Sequence, residues 1–435
     1  MNPTTPSAMP DSIFALTFVL LLLAPLSIAG VALINAGLGR SRSVAQALLG
    51  NLAIAAVTTI VFALVGAAFA GCPPGGAGHI FYLAGKPWNW LGTGPFLLSG
   101  LGSAPAQSQL ALIFEVLAVA LAAIVPWGSG ADRWRLAAGC ATAALLAAFV
   151  FPLAAYWIWG GGWLSQLGVN FPTSGSVAVG FLDPGGAGTV HVLGGLSAMA
   201  VIWIAGPRRG KFPKEGFSTA MPGHNAAYVL FGCLVSLVGW MAWNAAGAIL
   251  WLNAPFASLP QTAINTILSA SAALAATFTV TSIRFGKPDA SLCANGWMSG
   301  LVASSACAAL VSPIVSLFVG IVAGIATPLL VELFELALSV DDPSGAISVH
   351  ATAGLWGLFA AGVFSHRPGQ FVAQLVGITT LLGVFLPLVY LLFWLLNRIV
   401  PFRVDPDGER IGMDLHELGG GAYPEFVIHR DESYR

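Results

Sequence analysis

The sequence predicts an all-α polytopic membrane protein: eleven transmembrane helices in a five-plus-five inverted repeat, then a cytoplasmic tail. Three observations carry this expectation. Charge is scarce, with 8% Asp, Glu, Lys and Arg against 57% apolar residues in a chain of 435, where soluble domains hold about 25% charged residues. Long stretches carry no Asp, Glu, Lys or Arg at all, such as 217–283 and 290–331. A nine-residue pattern beginning at Asp183 returns at Asp342, 159 positions later. This composition excludes a water-soluble enzyme, a nucleic-acid binder and a disordered chain. The net charge of −1 points to no polyanionic partner.

A helix needs about 20 apolar residues to cross the hydrocarbon core. Dividing the apolar stretches at Pro, Gly and Asn clusters gives spans at roughly 12–37, 44–71, 106–128, 134–157, 184–206, 225–251, 258–283, 291–309, 314–338, 343–364 and 371–400. No Lys or Arg lies in Met1–Asp11, so the first run reads as a retained helix and not as a cleaved signal. Fifteen of the seventeen Lys and Arg fall on one side: Arg40, Arg42, Arg133, Arg135, Arg208, Arg209, Lys211, Lys214, Arg284, Lys287, Arg398, Arg403, Arg410, Arg430 and Arg435. Only Lys86 and Arg367 fall on the other. The positive-inside rule then places the N-terminus outside and the C-terminus in the cytoplasm of a multi-pass cell (inner) membrane protein. Residues 1–400 form the membrane domain and 401–435 the tail.

The five cysteines show no CxxC and no Cys/His metal spacing, and read as small buried side chains. No HExxH and no serine–histidine pair in a recognisable context is present, which argues against an enzyme. No metal and no cofactor is expected.

The repeat carries the chemistry. Asp183-Pro184-Gly185-Gly186-Ala187-Gly188-Thr189-Val190-His191 matches Asp342-Pro343-Ser344-Gly345-Ala346-Ile347-Ser348-Val349-His350, and both continue to Gly-Leu, at Gly195-Leu196 and Gly354-Leu355. Asp at the N-cap and Pro at the first helical position open each helix. Eight residues at about 1.5 Å each then set His191 and His350 about 12 Å deep, near the midplane. The two copies enter from opposite faces, as in an inverted repeat, so the two imidazoles are expected to meet. Ionisable residues within a membrane are costly and functional by default. Asp183 and Asp342 are expected caps, and the charge of Asp183 also favours a cation near the outer mouth.

These residues resemble the Amt/Mep/Rh ammonium transporter family, on its Amt branch, along nearly the whole chain. Ala36-Gly37-Leu38 with Arg40 and Arg42, Asp132-Arg133, Trp159-Gly160-Gly161-Gly162, the two histidine motifs, His224-Asn225, Gly239-Trp240 and Asn244-Ala245 all resemble its segments. So does the tail Glu409-Arg410-Ile411-Gly412-Met413-Asp414-Leu415 with Ala422-Tyr423. The resemblance implies a homotrimer in the lipid bilayer with one pore per subunit. It implies recruitment of ammonium at Trp159 and Phe114, deprotonation, and passage of ammonia along the twin histidines, with Trp240 and Asn244 in the pore wall. It also implies an ordered tail able to meet a PII-type signalling protein. Three positions depart from the family pattern. The two gate phenylalanines fall on Ala118 and Trp243, and the vestibule serine falls on Gly247, which removes an acceptor. Glu115 stands where Gln is usual. Two readings of it stay open: a carboxylate that replaces the lost acceptor, or a packing residue at the trimer interface. These departures also admit an ammonium sensor on the same fold, signalling through its tail with little or no flux.

Overall fold

The structure, a computed structural model, describes residues 9–72, 79–170, 180–215 and 217–423. The long helices are α1 (Asp11–Leu38), α2 (Ser41–Phe69), α3 (Ala106–Ser129), α4 (Leu136–Ile158), α5 (Ala187–Ala205), α6 (Ala226–Leu252), α7 (Phe256–Phe285), α8 (Ala290–Cys307), α9 (Pro313–Ala337), α10 (Ile347–Phe364) and α11 (Gln370–Ile399). Among the described residues, ten of these are long and apolar enough to cross a membrane. The helix outside that ten is α8, the counterpart of the expected span 291–309. Ser, Asn and Gly dilute its apolar content. Fourteen of its 18 residues are buried, so its polar groups meet protein and not lipid. Asn244 donates to Ser304 Oγ at 3.1 Å, and Thr327 Oγ1 donates to Ser299 Oγ at 2.7 Å.

The ends of the helices sort by charge. Arg40 and Arg208 pair with Asp132, Arg133 and Arg208 with Asp341, Lys211 with Glu335, and Arg284 with Glu332. The ends of α7 and α9 therefore lie together at one basic end of the bundle. Because α9 begins a full helix length away, α8 runs from the basic end to the opposite, aromatic end.

Small residues let the helices approach closely, as packing without a hydrophobic drive requires. A Cβ on Gly30 of α1 would stand 2.0 Å from Ser236 Oγ of α6, and one on Gly324 of α9 would stand 2.1 Å from the Ala273 carbonyl of α7. Between α2 and α3, the chain forms an antiparallel hairpin, β1 (His79–Leu83) and β2 (Lys86–Leu91). Its tight turn takes positive φ at Ala84 and Gly85 (52° and 74°), as two-residue hairpin turns demand. It is tied to the aromatic end by Gly92 N–H to Phe69 O, Trp163 N–H to Asn89 O and the Trp157 indole to Trp90 O.

Beyond α11, the tail to residue 423 lies against the basic end. A short helix α12 (Pro406–Ile411) is capped by Asp405, which accepts from Gly408 N at 2.7 Å. That hydrogen bond also holds the exposed Asp405 carboxyl below its usual range.

Candidate pore and its aromatic cover

The two repeat copies begin their helices alike, but not as the sequence suggests. The expected N-cap Asp and first-position Pro are corrected by the glycines that follow them. Gly186 and Gly345 take φ of +75° and +68°, and a right-handed helix cannot run through a left-handed residue. Asp183-Pro184 and Asp342-Pro343 therefore form turns, and α5 and α10 start at Ala187 and Ile347. The carboxylates still cap, from farther back. Asp183 Oδ2 accepts from Gly188 N (3.0 Å), Thr189 N (2.7 Å) and Thr189 Oγ1 (2.8 Å). Asp342 Oδ2 accepts from Ile347 N at 2.8 Å, and its Oδ1 from Ser129 Oγ at 2.7 Å. His191 consequently lies four residues, about 6 Å, into its helix, and not eight. Both histidines sit in wide π-turns, Ala187–Val192 and Ile347–Thr352, a distortion frequent at functional sites.

The imidazoles meet. His191 Nδ1 and His350 Nδ1 are 3.2 Å apart, the ring centroids are 5.2 Å apart, and both rings are buried. One Nδ1 must donate and the other accept, so two neutral rings must be in opposite tautomers. His191 Nε2 is buried without a hydrogen-bond partner among the described residues. The His191 ring stacks on Trp240 at 5.0 Å, and the Trp240 indole donates to Ser305 Oγ at 3.0 Å. Around the pair the two copies are related by symmetry. A Cβ on Gly195 would meet Ala351 N at 2.5 Å, and one on Gly354 would meet Val192 Cγ2 at 2.8 Å. Shifting each partner by 159 positions exchanges these two contacts, so the local twofold passes between the histidines, as an inverted repeat requires. A small cavity of about 10 Å³ lies beside His350, lined by Ile34, Asn35, Asn295 and Ser344 among others.

Toward the aromatic end the approach to His191 is covered. Phe114 is fully buried and packs against Trp243 (4.4 Å) and, near perpendicular to both, Trp159 (5.4 Å) and Trp251 (5.8 Å). Trp159 and Trp243 are anchored by indole hydrogen bonds to the carbonyls of Asp183 (2.8 Å) and Gly185 (2.9 Å). Ala118 is buried one helical turn from Phe114. Asn244 donates to Thr266 Oγ1 and Ser304 Oγ, and its Oδ1 is buried without a partner among the described residues. The same holds for Asp183 Oδ1. Gly247 lies against the Pro184 carbonyl, where a Cβ would stand only 2.0 Å away.

Glu115 is not brought to this cluster by any hydrogen bond or ring contact seen here. It is 1% exposed, and Cys72 donates its thiol to Oε2 at 3.0 Å. Burial inside a single chain corrects the expectation that would set it at an intersubunit surface. Trp251 escaped the sequence reading. The signal was present: Trp243, Gly247 and Trp251 recur every fourth residue on α6, and a glycine between two tryptophans leaves room for both. Among the described residues, no three His, Cys, Asp or Glu side chains group to hold a metal ion.

The tail carboxylates reach two helix starts and the segment after α5 at the basic end. Asp414 accepts from Ala45 N (3.1 Å) and Gln46 N (2.8 Å), Glu417 from Leu136 N (3.0 Å), and Glu409 from Arg209 N (2.6 Å) and Arg403 (2.8 Å). The Tyr423 hydroxyl lies 3.0 Å from His224 Nε2. Beside them, burial pushes the Asp341 carboxyl up, but hydrogen bonds from Arg208 and the charges of Arg133 and Arg208 outweigh it and hold it at about 2.

A bundle of membrane-length helices around a buried histidine pair defines a polytopic α-helical membrane protein. The comparisons name its kind: a model of the Ammonium Transporter Family matches residues 13–423, and the chain belongs to that family. It is 33% identical over 425 residues to ammonium transporter Amt2 of Archaeoglobus fulgidus, covering 93% of this chain and 86% of the relative. It is 28% identical to putative ammonium transporter 1 of Caenorhabditis elegans, covering 91% and 76%. Among solved structures, a "Sensor Amt Protein" superposes with a TM-score of 0.83 at 24% identity, covering 93% of this chain and 98% of that one. Mep2 of Candida albicans superposes with a TM-score of 0.77 at 22% identity, covering 96% and 91%. These two likenesses concern the fold.

Proposed function

We propose that this protein transports ammonium across the membrane through a pore centred on His191 and His350 in each subunit. The 3.2 Å contact between their Nδ1 atoms, buried and on the local twofold, carries the reading. NH4+ is recruited at the aromatic end, where π-faces partly replace its water at about 0.5–2 kcal/mol each. Carrying a bare ion into a dry lumen costs of order 20 kcal/mol in the idealised limit, so the ion gives up a proton first. His191 Nε2 is the acceptor, since it has no other partner among the described residues. His191 then passes its Nδ1 proton to His350 Nδ1, and His350 releases its Nε2 proton toward the basic end. Ammonia crosses as the neutral species. Potassium has no proton to give and is rejected.

In this reading α8 also spans the membrane and brings the count to eleven, the N-terminus is outside, and the basic end faces the cytoplasm of a cell (inner) membrane. The subunits assemble as a homotrimer. Residues 401–435 act as a regulatory tail for a PII-type partner, a role supported by the docking of Asp414 and Glu417 on helix starts and of Glu409 on the Arg209 backbone. The enclosure of Phe114 by three tryptophans also favours a second reading, a sensor that binds ammonium with little flux. Saturable uptake of labelled methylammonium into proteoliposomes, competed by ammonium, supports transport. Saturable ammonium binding without uptake, with a shift in protease sensitivity of the tail, establishes the sensor instead.

A further inference from the structure

Four tryptophans surround the approach to His191, and three of their indole nitrogens are tied down: Trp159 to Asp183 O, Trp240 to Ser305 Oγ and Trp243 to Gly185 O. The fourth, Trp251, has a buried Nε1 with no partner among the described residues. It stands in the last turn of α6, two residues before Asn253, whose left-handed backbone (φ 50°) stops the helix. Its ring lies parallel to that of Trp159, with centroids 5.2 Å apart and planes 5° apart, and it meets the Phe114 ring near perpendicular at 5.8 Å. Two rings stacked this closely leave no room for a cation between them.

We infer that Trp251 is a specificity-determining cover of the outer site: its indole occupies the face of Trp159 that a cation must reach. This rests on the proposed recruitment of ammonium at Trp159. Stacking of two aromatic rings and binding of a cation to one face are of similar strength, so ring and ion compete for the same surface. The unanchored nitrogen lets Trp251 yield where its three neighbours cannot. Displacement lowers the apparent affinity by the fraction of time the face is open. A methylated ammonium ion needs a larger opening than ammonium and is held back more. The direction is diagnostic: a cation ligand strengthens binding, whereas a cover weakens it.

The test compares Trp251→Ala and Trp251→Phe with wild type, all full-length. Ammonium and methylammonium uptake is measured in proteoliposomes, and ammonium chloride is titrated calorimetrically into detergent-solubilised protein. Trp251→Ala is expected to lower the ammonium KM and Kd by about 3- to 10-fold, with the maximal rate within twofold. The gain for methylammonium should be larger, and Trp251→Phe, which keeps a stacked ring, should stay near wild type. A raised or unchanged KM and Kd in Trp251→Ala overturns the inference while leaving transport intact. A wild type that neither transports nor binds ammonium overturns the proposed function, and the inference falls with it.

Discussion

Placing a serine at position 247, where the family resemblance sets one, should harm this protein. A Cβ at Gly247 would stand 2.0 Å from the Pro184 carbonyl oxygen and 2.9 Å from its carbon. An ordinary contact needs about 3.4 Å, so the turn Pro184–Gly185 must retreat by more than 1 Å. That turn supplies the Gly185 carbonyl to the Trp243 indole and follows the Asp183 cap of α5. Overpacking costs about 1–3 kcal/mol, and a weakened indole hydrogen bond adds about 1 kcal/mol, so Gly247→Ser should lose about 2–4 kcal/mol. With an unfolding entropy near 2.1 cal/mol/K per residue, about 0.9 kcal/mol/K for a chain this long, the melting midpoint in detergent should fall by roughly 2–4 °C. The displaced turn should also lower ammonium uptake. A Gly247→Ser variant that melts with wild type and binds ammonium more tightly would refute the claim that the backbone of Pro184 fills this space.

Other outcomes follow from the same geometry. Gly195→Val should push α5 and α10 apart, since even a Cβ there meets Ala351 N at 2.5 Å; uptake should drop at least tenfold, and uptake near wild type counts against a tight crossing. Asp414→Ala removes the acceptor for Ala45 N and Gln46 N. A lost cap costs about 1 kcal/mol, so limited proteolysis should cut the tail about fivefold faster, and an unchanged rate denies the tail its docking. Asp341 is held at about 2 in the folded protein against an ordinary 3.8. Its lowered value contributes about 2 kcal/mol of stability that is present above pH 4 and fades as pH falls toward 2. Asp341→Asn should therefore be less stable than wild type at pH 7, and the gap should narrow in acid; a pH-independent gap contradicts the ion-pair account.

Charge-free stretches and basic loops made the helices legible in the sequence. The stretch 106–128 became Ala106–Ser129, and 258–283 became Phe256–Phe285. The two histidines were legible because ionisable residues at repeated positions have no structural reason to lie in lipid. What escaped was set by local backbone geometry and by contacts between distant segments. Gly186 and Gly345 read as ordinary helix-start glycines until their left-handed backbone displaced the caps. The π-turns around His191 and His350 carry no compositional mark. The hairpin turn at Ala84-Gly85 lacks the usual Asn-Gly signal. The partner of Glu115, Cys72, lies 43 positions away, and Asp414 caps a helix that begins near the other end of the chain, so neither pairing was visible in sequence.

The central claim is that ammonium gives up its proton to a relay made of His191 and His350. The most direct measurement is current from purified protein in a solid-supported or planar membrane given an ammonium pulse, beside His191→Ala. The account predicts an ammonium-dependent current in wild type, none with a potassium pulse, and loss of the current in the variant. An undiminished current in His191→Ala would contradict it.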